Sequence, residues 1–156
     1  MDKLLKIGIV GCGAIGTSLA RIIVKDFSNR AKLIALYDID KAKSVKLASL
    51  ISGVGELAVR NLDGLINKSD LVIEAASAKC SGDIAREVLS KGRNIMIMSV
   101  GGILDNFREL YNLAKKHNAK VYIPSGAIAG IDALKALACS RINSVTLTTK
   151  KPPRAF

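Results

Sequence analysis

Apolar residues in this chain fall into short solid runs, separated by longer stretches in which they recur every three or four positions. Lys6-Ile7-Gly8-Ile9-Val10 is such a run, rich in β-branched residues, and predicts a strand buried on both faces. From about Ala14 to Asp26, the residues Ile15, Leu19, Ile22 and Ile23 fall on one side of a helix. Lys32 to Tyr37 reads as a second strand. Asp40 to about Ile51 reads as a second helix with Asp40 as its N-cap. A short strand is expected over Glu56 to Arg60 and another over Asp70 to Ala75. A helix follows over Ser81 to Leu89, stopped near Gly92. Asn94 to Met98 is again a strand. The next helix is expected to be capped by Asp105 and to run to about His117, before a strand over Lys120 to Ile123. Ile131 to Ala138 predicts a last helix, and Ile142 to Thr149 alternates like a strand with one exposed face.

Strands alternating with helices imply an α/β chain with a doubly wound parallel sheet. Residues 1–139 complete one such domain. The alternating strand after it, followed by Lys150-Lys151-Pro152-Pro153, reads as the start of a second, α+β domain over residues 140–156, most of which would lie beyond Phe156.

Gly11-Cys12-Gly13-Ala14-Ile15-Gly16 gives this sheet a candidate chemistry. A GxGxxG match is weak alone, but here it follows a predicted strand, opens a predicted helix, and precedes an acid at the end of the next strand. That context is the Rossmann dinucleotide-binding arrangement. Gly11 would permit the tight turn, Gly13 the approach of a pyrophosphate to the backbone, and Gly16 close packing of helix on sheet. The N–H groups of the first helical turn, around Ala14 and Ile15, would face the phosphates. Asp38, 22 residues after Gly16, stands where a carboxylate accepts hydrogen bonds from the adenosine ribose. It would repel a 2′-phosphate and so favour NAD, while Lys41 and Lys43 leave NADP possible. Without a ligand, the same residues would be a glycine turn and a capping acid. Cys12 is read as passive.

Ligands of such sheets sit at the carboxyl ends of the strands. Those ends carry Ala75-Ala76-Ser77, Ser99-Val100-Gly101-Gly102 and Pro124-Ser125-Gly126-Ala127. Small residues leave room for the nicotinamide half of a dinucleotide, although each such loop could equally be only a tight turn. His117, the only histidine, is expected at the amino edge, away from the cofactor, where it complements a helix dipole. No convincing proton donor or acceptor is present. Lys79 is one candidate, and a group beyond Phe156 is preferred.

Composition narrows the partners. The chain has 156 residues, 49% of them hydrophobic and 4% aromatic, so the core must be aliphatic. The net charge of +11 suggests either nucleic-acid binding or a lysine-rich solvated surface. The second reading is favoured, because the basic residues are dispersed and not interleaved with aromatics. A positive field also suits an anionic ligand. No apolar run is long enough for a bilayer, and the first residues lead straight into a strand, so no membrane association and a cytoplasmic location are expected. Cys12, Cys80 and Cys139 fit neither a disulfide framework nor a metal site.

The chain resembles the archaeal-type L-aspartate dehydrogenases. The matching segments are Ile9 to Gly16, Val72 to Ser77, Ile97 to Gly102 and, most specifically, Ile123 to Leu134; the likeness extends through Leu147-Thr148-Thr149-Lys150-Lys151-Pro152-Pro153. The resemblance implies oxidation of L-aspartate with NAD or NADP to iminoaspartate, which feeds NAD biosynthesis or hydrolyses to oxaloacetate. It also implies a homodimer, a cofactor contact at Ala127, and a catalytic histidine in the second domain. Other amino-acid-pathway oxidoreductases, of the homoserine dehydrogenase or dihydrodipicolinate reductase type, share such a first domain. A non-catalytic nucleotide-binding module is the remaining alternative.

Overall fold

The computed structural model describes residues 3–52, 56–124, 141–146 and 148. The chain's contacts divide it into two units, residues 1–124 and 125–156. In the first, the order of elements is β1 (Leu5–Val10), α1 (Ala14–Asp26), β2 (Ala31–Tyr37), α2 (Lys41–Ser52), α3 (Leu62–Lys68), β3 (Leu71–Glu74), α4 (Ala78–Ser90), β4 (Asn94–Ile97), a 3-10 turn (Val100–Ile103), α5 (Phe107–Lys116) and β5 (Val121–Tyr122).

The five strands form one parallel sheet in the order β2-β1-β3-β4-β5. The strand expected over Glu56 to Arg60 is reduced to a single parallel bridge, Ala58 beside Leu36. Leu36 donates to the Leu57 carbonyl at 2.7 Å and Val59 to the Leu36 carbonyl at 3.0 Å. Neither end of this stretch continues the ladder, so no full strand forms. Counting that bridge as a rudimentary edge, the order is the 3-2-1-4-5-6 of dinucleotide-binding sheets.

The sheet is buried on both faces, which is why its strands read as solid apolar runs. Ile7, Ile9, Leu33, Leu36 and Ile73 pack against Ala20 and Ile23 of α1 and Leu47 and Ala48 of α2. Val10, Val72, Ile95 and Ile97 pack on the other face against Leu65 and Ile66 of α3, Ile84, Ala85, Val88 and Leu89 of α4, and Leu110 of α5. The β1–β2 ladder is interrupted once. Ile7 pairs with Leu33 and Gly8 with Ala35, so Ile34 is a bulge.

Several expectations need correction. The core face of α1 is Gly16, Ala20 and Ile23, whereas Ile15 and Ile22 are exposed. Ile23 and, partly, Leu19 pack into the core as expected, and the small residues Gly16 and Ala20 join them where the helix lies close to the sheet. Asp105 does not cap α5, which begins at Phe107 after Asn106; the 3-10 turn takes up the intervening chain. Helix α3 was not anticipated. Its N-cap Asn61 accepts a 2.8 Å hydrogen bond from Gly64 N–H. Asp40 does act as a cap, accepting from Ala42 N–H at 3.1 Å.

In the second unit, residues 141–146 and 148 are exposed and assigned to no strand, and the rest of the span expected as a strand over Ile142 to Thr149 lies outside the described residues. The helix expected over Ile131 to Ala138 and the residue Ala127 lie outside the described residues.

Candidate functional site

Strands β1 and β3 are neighbours, yet the chain leaves their carboxyl ends towards opposite faces: α1 packs on one face and α4 on the other. That divergence opens a crevice at the sheet's carboxyl edge, the place where this topology binds ligands.

The glycine turn forms one wall. Gly11 has φ +96°, a conformation a side chain would strain, and a Cβ there would lie 2.5 Å from the Ala75 carbonyl oxygen. A Cβ on Gly16 would fall onto the Gly11 carbonyl oxygen, so α1 can approach the turn only with glycine there. At Gly13 the reverse holds, because a Cβ would meet nothing within 4 Å. Gly13 occupies the N-cap of α1 but offers no side-chain oxygen, and no acidic residue lies in the first turn. The N–H groups of Gly13, Ala14 and Ile15 meet no acceptor among the described residues. Together with the helix dipole they form an open anion cradle.

Asp38 follows β2 and is half-buried beside this turn. One carboxylate oxygen accepts from Cys12 N–H at 2.7 Å and the other from Asp40 N–H at 2.9 Å. The carboxylate therefore already anchors the turn, and each oxygen keeps a second lone pair for a hydroxyl donor. Cys12 is buried beneath it. Burial first, and the Asp38 charge second, push its thiol up to about 12, with Lys43 opposing. Cys12 is thus a neutral thiol and not a nucleophile.

A cavity of about 360 Å³ opens on the Asp38 side, lined by Gly11, Tyr37, Asp38, Ile39, Leu62, Ala76, Cys80 and Ile84. Ile39, which lines this cavity, is 95% exposed. A smaller space of about 300 Å³ lies between Gly13, Thr17 and the lysines Lys43 and Lys46 of α2. Lys43 Nζ lies 3.9 Å from an Asp40 carboxylate oxygen.

On the other side of β1, Ala75, Ala76 and Ser77 leave β3, and Ser99, Val100 and Gly101 leave β4. A buried carboxylate joins the two loops. Glu74 accepts from Ala76 N–H at 2.8 Å and from Ser99 N–H at 3.0 Å. Ser77 stands at the N-cap of α4, its hydroxyl 3.4 Å from the Cys80 sulfur.

The family profile described as "Homoserine dehydrogenase, NAD binding domain" matches residues 11–124, which hold all of this geometry except the first strand. The chain belongs to that family of NAD-binding domains. Among proteins similar to this NAD-binding domain, the L-aspartate dehydrogenase of Methanococcus maripaludis (strain C6) is 45% identical over 96% of the chain and 56% of its own length. That of Methanocaldococcus jannaschii is 43% identical over 98% of the chain and 57% of its own length. The chain thus spans about half the length of the curated relatives it matches. Among solved structures, GenD2 from gentamicin A biosynthesis, in complex with NAD, superimposes with a TM-score of 0.68 at 22% identity over 89% of the chain and 39% of GenD2. A putative homoserine dehydrogenase from Archaeoglobus fulgidus gives 0.59 at 18% identity over 77% of the chain and 42% of its own. At these identities the likeness speaks for the fold, the Rossmann sheet.

Within this NAD-binding domain the remaining candidates separate cleanly. His117 is the C-cap of α5, with its carbonyl against Gly92 ahead of β4, and so lies at the amino edge. Lys79 is exposed in the first turn of α4, at the carboxyl edge. Among the described residues no three His, Cys, Asp or Glu side chains converge as metal ligands, and no helix is long and apolar enough to cross a membrane. A larger cavity, about 520 Å³, is lined by Ile103 and by residues of α5 and β5, among them Phe107 and Tyr122, and by none of the glycine turn. The crevice at the glycine turn, with open peptide N–H groups and the Asp38 carboxylate, is the better candidate for a polar ligand. Sequence reasoning missed Ile39, Leu62 and Glu74. An apolar residue directly after the ribose acid was the available signal for Ile39; Glu74 showed only as the charged end of an apolar run.

Proposed function

We propose that this chain is the cofactor-binding part of an NAD(P)-dependent L-aspartate dehydrogenase, converting L-aspartate to iminoaspartate. The observation that carries the reading is the 41–45% identity to L-aspartate dehydrogenases, sustained over 96% of the chain rather than confined to the glycine turn. The site fits the cofactor on chemical grounds. Open peptide N–H groups at Gly13, Ala14 and Ile15 suit a pyrophosphate, with Gly11 and Gly16 shaping the turn. Asp38 offers acceptors to the ribose hydroxyls, and exposed Ile39 a surface for adenine. Ala75, Ala76, Ser77, Ser99, Val100 and Gly101 then line the path of the nicotinamide; a cofactor contact at Ala127 rests on the family resemblance alone.

The bound cofactor would supply the hydride acceptor; this chain's residues bind and orient it. The proton acceptor belongs to a second domain, of which residues 140–156 are the beginning. A homodimer, a cytoplasmic location and a part in NAD biosynthesis belong to the same proposal. The net charge of +11 is read as a field for anionic cofactor and dicarboxylate substrate, not for nucleic acid or membrane.

The test has two stages. Titrating the 156-residue chain with NADH should give saturable fluorescence enhancement; silence up to millimolar NADH defeats the cofactor site. Joined to its second half, the protein should reduce NAD with L-aspartate. The family profile favours one rival, an enzyme of homoserine dehydrogenase type. Turnover of homoserine but not aspartate would select it.

A further inference from the structure

We propose that Glu74 is a positioning residue for the nicotinamide end of the cofactor, its buried carboxylate tying the loop after β3 to the loop after β4. The inference rests on the NAD(P) reading above.

Glu74 ends β3 at the crevice and is fully buried. Among the described residues no lysine, arginine or histidine forms an ion pair with it. Its strand neighbours across the sheet are Val10 and Ile97, so an apolar side chain would suit the position with no desolvation cost. What the carboxylate contributes instead is two hydrogen bonds, one oxygen to Ala76 N–H at 2.8 Å and the other to Ser99 N–H at 3.0 Å. Ser99 is held from its other side as well. The buried hydroxyl of Ser81, from α4, donates to the Ser99 carbonyl at 3.1 Å.

Two loops of small residues are thereby fixed to each other across 25 positions of sequence. Alanine, serine and glycine fill little space and pack weakly, so such loops take their rigidity from hydrogen bonds. The direction of the ligand follows from the sheet. With the pyrophosphate at the glycine turn and one ribose at Asp38 beyond β2, the second nucleoside must extend the other way, over the ends of β3 and β4. The Ser99 end of the clamp therefore bears on the nicotinamide side, while its Ala76 end also lines the Asp38 cavity.

Glu74→Gln keeps the shape but replaces one acceptor by an NH2 group, so one of the two peptide N–H groups faces another donor. NADH and ADP-ribose share every contact except those of the nicotinamide base, and a loss at the adenosine side cancels in the ratio of their affinities. For the 156-residue chain the Kd for NADH should rise about tenfold, with ADP-ribose changing less than about twofold. The emission enhancement of bound NADH should fall with it. Ser81→Ala, which loosens Ser99 from the opposite side without touching Glu74, should shift the ratio in the same direction by a smaller factor, and serves if the Gln variant does not fold. An unchanged NADH to ADP-ribose ratio in the folded variants, whether both ligands weaken together or neither does, overturns the role of Glu74. A wild-type chain that binds neither ligand overturns the cofactor reading itself.

Discussion

Gly13→Ala separates folding from binding more sharply than any other change at the turn. The added Cβ meets no atom within 4 Å, and Gly13 sits at φ −76° and ψ −161°, extended backbone open to alanine. Restricting the unfolded chain should stabilise by roughly 0.4–1 kcal/mol. Alanine is a poorer N-cap than glycine by about the same amount. The two nearly cancel, so Tm should move by no more than about 3 °C in a chain of this size. The methyl group, however, occupies the space through which a diphosphate approaches the N–H groups of Gly13, Ala14 and Ile15. Displacing the ligand by one methyl radius weakens several charge-assisted bonds at once, each worth about 1.5–3 kcal/mol. NADH affinity should therefore fall at least about tenfold. Thermal melting and NADH fluorescence titration on the same preparation give both numbers. Wild-type NADH affinity in the folded variant would refute the placement of the diphosphate at this turn.

Gly16→Ala should behave oppositely. Its Cβ falls on the Gly11 carbonyl oxygen, so helix and turn must part; overpacking of this kind costs about 1–3 kcal/mol and should lower Tm by roughly 2–12 °C, even without ligand. Asp38→Ala removes a ribose acceptor and the anchor on Cys12 N–H, so it should weaken NADH more than NADPH and narrow the discrimination between them. Paired titrations showing an unchanged ratio would remove Asp38 from ribose recognition. The Cys12 thiol is raised from 9.0 to about 12 in the folded chain, so unfolding releases its proton at lower pH. Its contribution is whole below pH 9 and is lost as pH climbs towards 12. Urea midpoints of wild type should decline over that window more steeply than those of Cys12→Ala.

The elements visible in the sequence were those with a strong local cause. Strands buried on both faces are solid apolar runs, and β1, β2 and β4 fall within a residue of their expected bounds. The glycine turn was legible because each glycine answers a separate constraint. The seven-residue α3 escaped because two turns are too short to display a period, though Asn61 ahead of Leu62, Leu65 and Ile66 was a usable cap signal. The core face of α1 was read in part: Ile23 and Leu19 pack on the core, but Ile15 and Ile22 are exposed and Gly16 and Ala20 were overlooked, because periodicity weights large residues. Glu74 lay beyond local reasoning altogether. Its meaning depends on Ser99, which only the parallel pairing of β3 with β4 brings within reach.

The spare residue at Ile34 is absorbed within the β1–β2 ladder. Beyond it the pairing runs unbroken from Gly8–Ala35 to Val10–Tyr37, which delivers Asp38 to the turn whatever lies upstream. The distance along the chain from the last motif glycine to the ribose acid is thus elastic, while their separation in space is not. A search that demands a fixed interval between them will overlook domains of this kind; one that counts backwards from the end of the second strand will not.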